Sequence, residues 1–157
     1  MEQYKTNNIK IENARIRFLN FSGTPDKFNP AGNRNFSVDI PEEMVEPLLA
    51  DGWNIKRMKP RDDEEVGRAY LQVAVKYAYF PPKVVMLTSR NKVVLDEQLI
   101  GQLDSAEIKN VDLVIRPYKY EVNGKTGIKA YLKTMYVTIE DDEFADKYDA
   151  PADDMPF

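Results

Sequence analysis

The chain has 157 residues, 43% of them hydrophobic and 11% aromatic, enough for one domain with a real core. It contains neither cysteine nor histidine, which excludes disulfides, thiolate zinc sites, cysteine nucleophiles and imidazole general bases. The net charge of −4 is unevenly spread: from residue 140 onward eight carboxylates stand against one lysine, a local −7, so residues 1–139 carry +3. Residues 1–10 are polar and lack the apolar stretch of a signal peptide. No segment approaches the ~20 apolar residues that cross a bilayer, so a cytoplasmic setting is expected.

Residues 13–21 read as a strand in which Arg15 and Arg17 alternate with Ile16 and Phe18. Residues 22–35, rich in Gly, Pro and Asn, read as a loop carrying Lys27 and Arg34. Phe36, Val38 and Ile40 alternate with Ser37 and Asp39, a second strand that makes a hairpin with the first. Pro41 opens a short helix, Glu42 and Glu43 suit its positive N-terminal end, and Gly52 suits the position past its end. Residues 53–58 are extended or irregular, and the charged segment 59–68 reads as a loop. Residues 70–80 form a long strand with Leu71, Val73, Val75, Tyr77 and Tyr79 on one face, ended by Pro81 and Pro82. Residues 84–88 read as a short buried strand. Residues 96–103 read as a helix whose apolar side is Leu95, Leu99, Ile100 and Leu103. Residues 111–122 and 128–139 are two strong strands joined by a tip at 123–127.

About five principal strands with a helix before the fourth are the layout of an OB-fold, a small Greek-key barrel, here elaborated with two short helices. A β-sandwich or another small barrel is the competing architecture. The expected division is a barrel domain over 1–139 and an acidic tail, expected to be disordered, over 140–157.

In the last hairpin Lys129, Tyr131 and Lys133 face away from Ile128, Ala130 and Leu132, and in the preceding strand Arg116, Tyr118 and Tyr120 share a face. Alternating cations and rings suit a sequence-tolerant binder of single strands: cations follow phosphates, and rings stack on unstacked bases. The plainer reading is a half-solvated face, on which Tyr and Lys are common. Arg15 and Arg17 extend the surface from the first strand, and Lys27 and Arg34 are placed to clamp a backbone. Lys56, Arg57, Lys59 and Arg61 cluster beside Trp53, a residue read as core before stacking platform. The carboxylates at 62–65 are adjacent in sequence and flanked by basic residues, which does not make a metal site. Gly124-Lys125-Thr126 resembles the end of a phosphate loop, but Lys119 stands where its first glycine is required and the segment is a hairpin. No catalytic residue and no cofactor is expected. A carboxylate-dependent nuclease using Asp96, Glu97, Asp104 or Asp112 is a rival that no spacing favours.

The tail closes on Asp153-Asp154-Met155-Pro156-Phe157. A ring behind a stiff proline and among carboxylates suits a pocket with a basic rim. Solubility alone is the plainer account of the charge. Three stretches, residues 14–23 (ARIRFLNFSG), 35–38 (NFSV) and 127–137 (GIKAYLKTMYV), resemble the single-stranded DNA-binding proteins of tailed bacteriophages. That resemblance implies an OB-fold, single-stranded DNA as ligand, and a place in phage DNA replication or recombination. The tip is similar to the acidic Pro-Phe tip of cellular bacterial single-stranded DNA-binding proteins. By that likeness Pro156 and Phe157 dock onto replication or recombination proteins, with Asp153 and Asp154 adding charge. The long linker that precedes the tip in those proteins is missing here. A chain of ~15 residues spans only about 20 Å, so the tail also reaches its own basic groove. Those relatives stack bases largely on tryptophans, whereas this chain has a single Trp, which leaves the work to Tyr and Phe. The oligomeric state stays open. A phage protein-interaction or structural protein on a small β-barrel is the remaining alternative.

Overall fold

Period-two alternation dominates the fold: in residues 69–75 the side chains of Ala69, Leu71, Val73 and Val75 are buried, while Tyr70, Gln72 and Ala74 face outward. The structure, a computed structural model, describes residues 7–25, 32–60, 66–78 and 80–140. In chain order the elements are β1 (Ile9–Ile11), β2 (Ile16–Asn20), β3 (Arg34–Asp39), α1 (Glu42–Asp51), β4 (Lys56–Arg57), β5 (Ala69–Val75), β6 (Lys83–Leu87), β7 (Lys92–Leu95), a 3₁₀ helix (Ile100–Ser105), β8 (Ile108–Val122) and β9 (Lys125–Ile139).

Among the described residues the nine strands belong to one sheet whose main path is β1-β8-β9-β5-β3-β2. The ends of that path, β1 and β2, are neighbours in the chain. Asn13 turns the backbone between them with φ 54°, its N–H donates to Asp112 Oδ1 at 2.9 Å, and the Ala14 N–H donates to the Val111 carbonyl at 2.7 Å. One broken strand therefore pairs with β8 through its first half and with β3 through its second. That closes the sheet on itself as a mainly-β, elaborated OB barrel.

β5 and β6 follow one another along the same edge of β9, both parallel to it: Val73 and Ala74 lie opposite Ala130 and Tyr131, and Lys83–Leu87 lie opposite Thr134–Thr138. Between the two, residues 76–78 and 80–82 lie in no strand. β7 folds back on β6 through a turn in which the Thr88 hydroxyl accepts from the Asn91 and Arg90 N–H groups.

Helix α1 ends in a Schellman motif: the Trp53 N–H donates to the Leu48 carbonyl, the Gly52 N–H donates to the Leu49 carbonyl, and Gly52 takes φ 102°. The motif drives Trp53 into the core, where it is 2% exposed. Arg57 then forks onto Glu42 at 2.8 and 2.9 Å and donates to the Gly67 carbonyl at 2.9 Å, tying α1 to the start of β5. The Glu42 carboxyl is held below its usual range, first by the Arg57 hydrogen bond and then by its charge.

Several boundaries differ from expectation. The strand expected over 13–21 is shortened by the turn at Asn13, and at Phe18 and Leu19 two residues stand opposite one, a β-bulge. The strand expected over 70–80 ends at Val75. Strands β1 and β7 lack the length that makes alternation legible in sequence. The segment expected as a helix over 96–103 is a turn followed by the 3₁₀ helix. Asp96 accepts from the Gln98 and Leu99 N–H groups and pins that turn, which leaves Leu99 47% exposed rather than packed. The tip at 123–127 is tighter than expected. Asn123 and Gly124 alone make the turn, with φ 52° and 79°, the type I′ geometry that matches strand twist.

Candidate nucleic-acid interface

Opposed residues of paired strands project to the same side. In the β8–β9 hairpin Arg116 lies opposite Tyr131, Tyr118 opposite Lys129 and Tyr120 opposite Gly127, all outward, while Ile115, Ile128, Ala130 and Leu132 are buried. Across β9 the outward row continues through Ala74 on β5 to Asn35 on β3. The next row runs from Gln72 through Ser37 to Arg17 on β2. Sequence alternation thus gives the outward face of Arg116, Tyr118, Tyr120, Lys129 and Tyr131, and pairing makes them one surface.

Tyr131 is its centre. The Tyr118 ring meets it edge-on at 5.7 Å, and Lys129, Lys76 and Arg116 place their charges 5.6, 5.9 and 6.0 Å from its centroid. Arg116 also stands 4.9 Å over Phe80, whose ring is 67% exposed. An open groove of about 860 Å³ runs from Gly32, Asn33 and Arg34 at the base of the first hairpin loop, past Gln72, Ala74 and Lys76, to Tyr120 and Lys129. The sheet face of β3 and β5 between these loops is where OB-folds take oligonucleotides.

Lys133 is exposed but is the extra residue of a bulge: Ile115 lies opposite Leu132 and Val114 opposite Thr134, so the inward phase shifts to Met135 and Val137. Arg15 is exposed just before β2, and its carbonyl accepts from the Asp39 N–H. Arg17 is engaged by Asp39, both carboxylate oxygens lying 3.2 Å from its Nε. Arg34 turns towards Glu97, with Nη1 3.3 Å from Oε1, while its buried Nε has no hydrogen-bond partner among the described residues. Beside it the Tyr77 hydroxyl donates to the Leu95 carbonyl. Burial pushes the Tyr77 pKa up to about 12, with Asp96 and Glu97 acting in the same direction and Arg34 against them. Lys27 and the tip residues Asp153, Asp154, Met155, Pro156 and Phe157 lie outside the described residues, as do Tyr79 and the carboxylates at 62–65.

The carboxylates of the rival nuclease reading have structural tasks at separate places. Asp104 accepts from the Phe21 and Ser22 N–H groups, Asp112 from Asn13, Asp96 within its own turn, and Glu97 from Arg34. Among the described residues no three potential metal ligands converge.

Sequence reasoning missed Lys76, Phe80, Phe18 and Arg68. Lys76 continues the outward phase of Gln72 and Ala74, a signal that was present. Phe18 was expected to alternate with the arginines, but the bulge turns it out to 66% exposure at φ 54°.

A family model described as a putative phage ssDNA-binding domain matches residues 1–156. Three solved structures of the single-stranded DNA-binding protein from bacteriophage Enc34 are similar to the chain. The complex with ssDNA has a TM-score of 0.55 at 14% identity, covering 86% of this chain and 88% of that one. A C-terminal truncation gives 0.54 at 16% identity, covering 86% and 87%. A third structure gives 0.54 at 15% identity, covering 94% and 88%. At these identities the likeness is one of fold. No curated protein matches the chain in sequence.

Proposed function

The chain belongs to the putative phage ssDNA-binding domain family, and from that premise we propose that it binds single-stranded DNA without strong sequence preference, through the outward face of β3, β5 and the β8–β9 hairpin. The observation that carries this reading is the Tyr131 cluster: an edge-on ring pair, three cations within about 6 Å, and an adjoining groove. Phosphates follow Arg116, Lys129, Lys76 and Lys133, with Arg15, Arg17, Lys27 and Arg34 extending the track. Bases stack on Tyr118, Tyr120 and Tyr131, with Phe80 and Phe18 as further platforms. The protein performs no reaction in this scheme. It protects and organises single strands in phage DNA replication or recombination in the host cytoplasm.

Residues 1–139 form the binding domain. Residues 140–157 compete with DNA for the basic face and dock replication or recombination proteins through Asp153, Asp154, Met155, Pro156 and Phe157. The −7 of this segment against the +3 of the remainder supports the competition.

A titration of oligo-dT at several salt concentrations, with duplex competitor, tests the reading. Affinity should fall linearly on a log–log plot, by about 0.7 per phosphate neutralised. Tyr131→Ala should weaken binding by about 1–3 kcal/mol, the worth of one stacked base. No oligo-dT binding, or cleavage of the strand with Mg²⁺ or Mn²⁺, would overturn it.

A further inference from the structure

At the β2 end of the outward face one carboxylate gathers two guanidinium groups. Asp39 is the last residue of β3, and its side chain is only 16% exposed. Arg17 on β2 places its Nε 3.2 Å from both Asp39 oxygens. Arg68, the residue before β5, places its Nε 3.6 Å from Oδ2. The Asp39 backbone is itself fixed, since its N–H donates to the Arg15 carbonyl at 2.9 Å.

Both arginines engage Asp39 through Nε, the inner nitrogen. Their terminal amino groups, the half of the fork that grips an oxyanion best, have no hydrogen-bond partner among the described residues, and about a third of each side chain is open to solvent (33% and 36%). Without Asp39 the two cations would repel one another. With it both are held at one carboxylate, with one positive charge in surplus. That charge, with two forks fixed before any ligand arrives, suits a tetrahedral oxyanion.

We propose that Arg17 and Arg68, held by Asp39, form a phosphate-binding site for the single-stranded DNA backbone, with Asp39 as a positioning residue. The inference rests on the single-stranded DNA reading and deepens it. Tyr131 lies on β9, and β5 and β3 separate it from β2. Arg17 is therefore three strand spacings, roughly 14 Å, across the sheet from Tyr131, while Asp39 lies opposite Tyr70, four residues along β5 from the Ala74 that faces Tyr131, and the bound strand crosses the sheet obliquely from the hairpin to β2.

The test turns on a sign. If Asp39 were only a negative charge near DNA, Asp39→Asn would tighten binding. As the residue that holds the pair, its loss loosens both forks and weakens binding. Wild type, Asp39→Asn, Arg68→Gln, the double variant, and Glu43→Gln on the exposed start of α1 as a charge control, all in the full chain, are titrated with oligo-dT at several salt concentrations and melted by circular dichroism. Asp39→Asn and Arg68→Gln should each weaken binding several-fold and flatten the salt slope by about 0.7 for each phosphate no longer neutralised. The double variant should lose little more than either single one, because both act on one site. Glu43→Gln should bind as well as wild type or slightly better. If wild type binds and Asp39→Asn is folded yet binds equally or more tightly, the inference is wrong while the functional reading stands. Should Asp39→Asn fail to fold, Arg68→Gln decides alone, and wild-type affinity and slope there would overturn the site. A wild type that ignores oligo-dT refutes both.

Discussion

Phe18 occupies a backbone conformation that normally belongs to glycine. With φ 54°, opposite Phe36 in the bulge between Arg17 and Asn20, it holds the position where a bulge of this kind usually takes glycine. A left-handed backbone costs a side-chain-bearing residue roughly 1–2 kcal/mol, and a ring left 66% exposed recovers little of that by burial. Strain of this kind gathers at ligand sites, and Phe18 follows Arg17 in the chain. Phe18→Gly should raise the melting temperature slightly, by up to about 1 kcal/mol of stability, while weakening oligo-dT binding. Phe18→Leu, which keeps the strain and loses the ring, should weaken binding with no gain in stability. Unchanged affinity in both variants would remove Phe18 from the DNA path.

The β8–β9 hairpin is the element on which the site depends. Asn123 and Gly124 set its register through a two-residue turn, and that register decides which residues lie opposite one another over both long strands. Gly127 has a second task. A Cβ built there would sit 2.5 Å from the Tyr120 hydroxyl, so the ring lies across the glycine as it can across no other residue. Gly127→Val suits a strand by propensity but pushes Tyr120 out of place. The expected result is a folded protein that binds oligo-dT more weakly by about 1–3 kcal/mol, with altered Tyr120 ring resonances in NMR spectra. Wild-type affinity would mean that Tyr120 carries no base. Along this hairpin the ladders were legible in sequence, because alternation is a short-range signal. The bulge at Lys133 was not, since an extra residue on one strand exists only relative to its partner.

At the scale of the whole molecule the charge is divided: −7 beyond residue 139 and +3 before it. If the acidic segment competes for the basic face, removing residues 149–157 should raise oligo-dT affinity several-fold at low salt, and the gain should vanish at high salt, where a Debye length of about 3 Å at 1 M screens the two. Equal affinities of the full and shortened chains at low salt would end the competition proposal and leave partner docking as the tail's role.

The sequence by itself determined the mainly-β class, the principal strands, the core face of those without a bulge, and the outward grouping of Arg116, Tyr118 and Tyr120 and of Lys129 and Tyr131. All of these follow from alternation and turn chemistry within a few residues. Only the tertiary structure decided how the groups meet. Parallel pairing of β5 with β9 brings Lys76 to Tyr131, and Phe80, shortly before β6, lies against Arg116. Arg17 and Arg34 read in sequence as candidates to contact a nucleic-acid backbone, yet each meets a carboxylate supplied from elsewhere, Asp39 and Glu97. The physical reason is common to all of these cases. Facing in or out is set by a strand's own period, whereas a neighbour across a closed barrel is set by pairing between segments far apart in the chain.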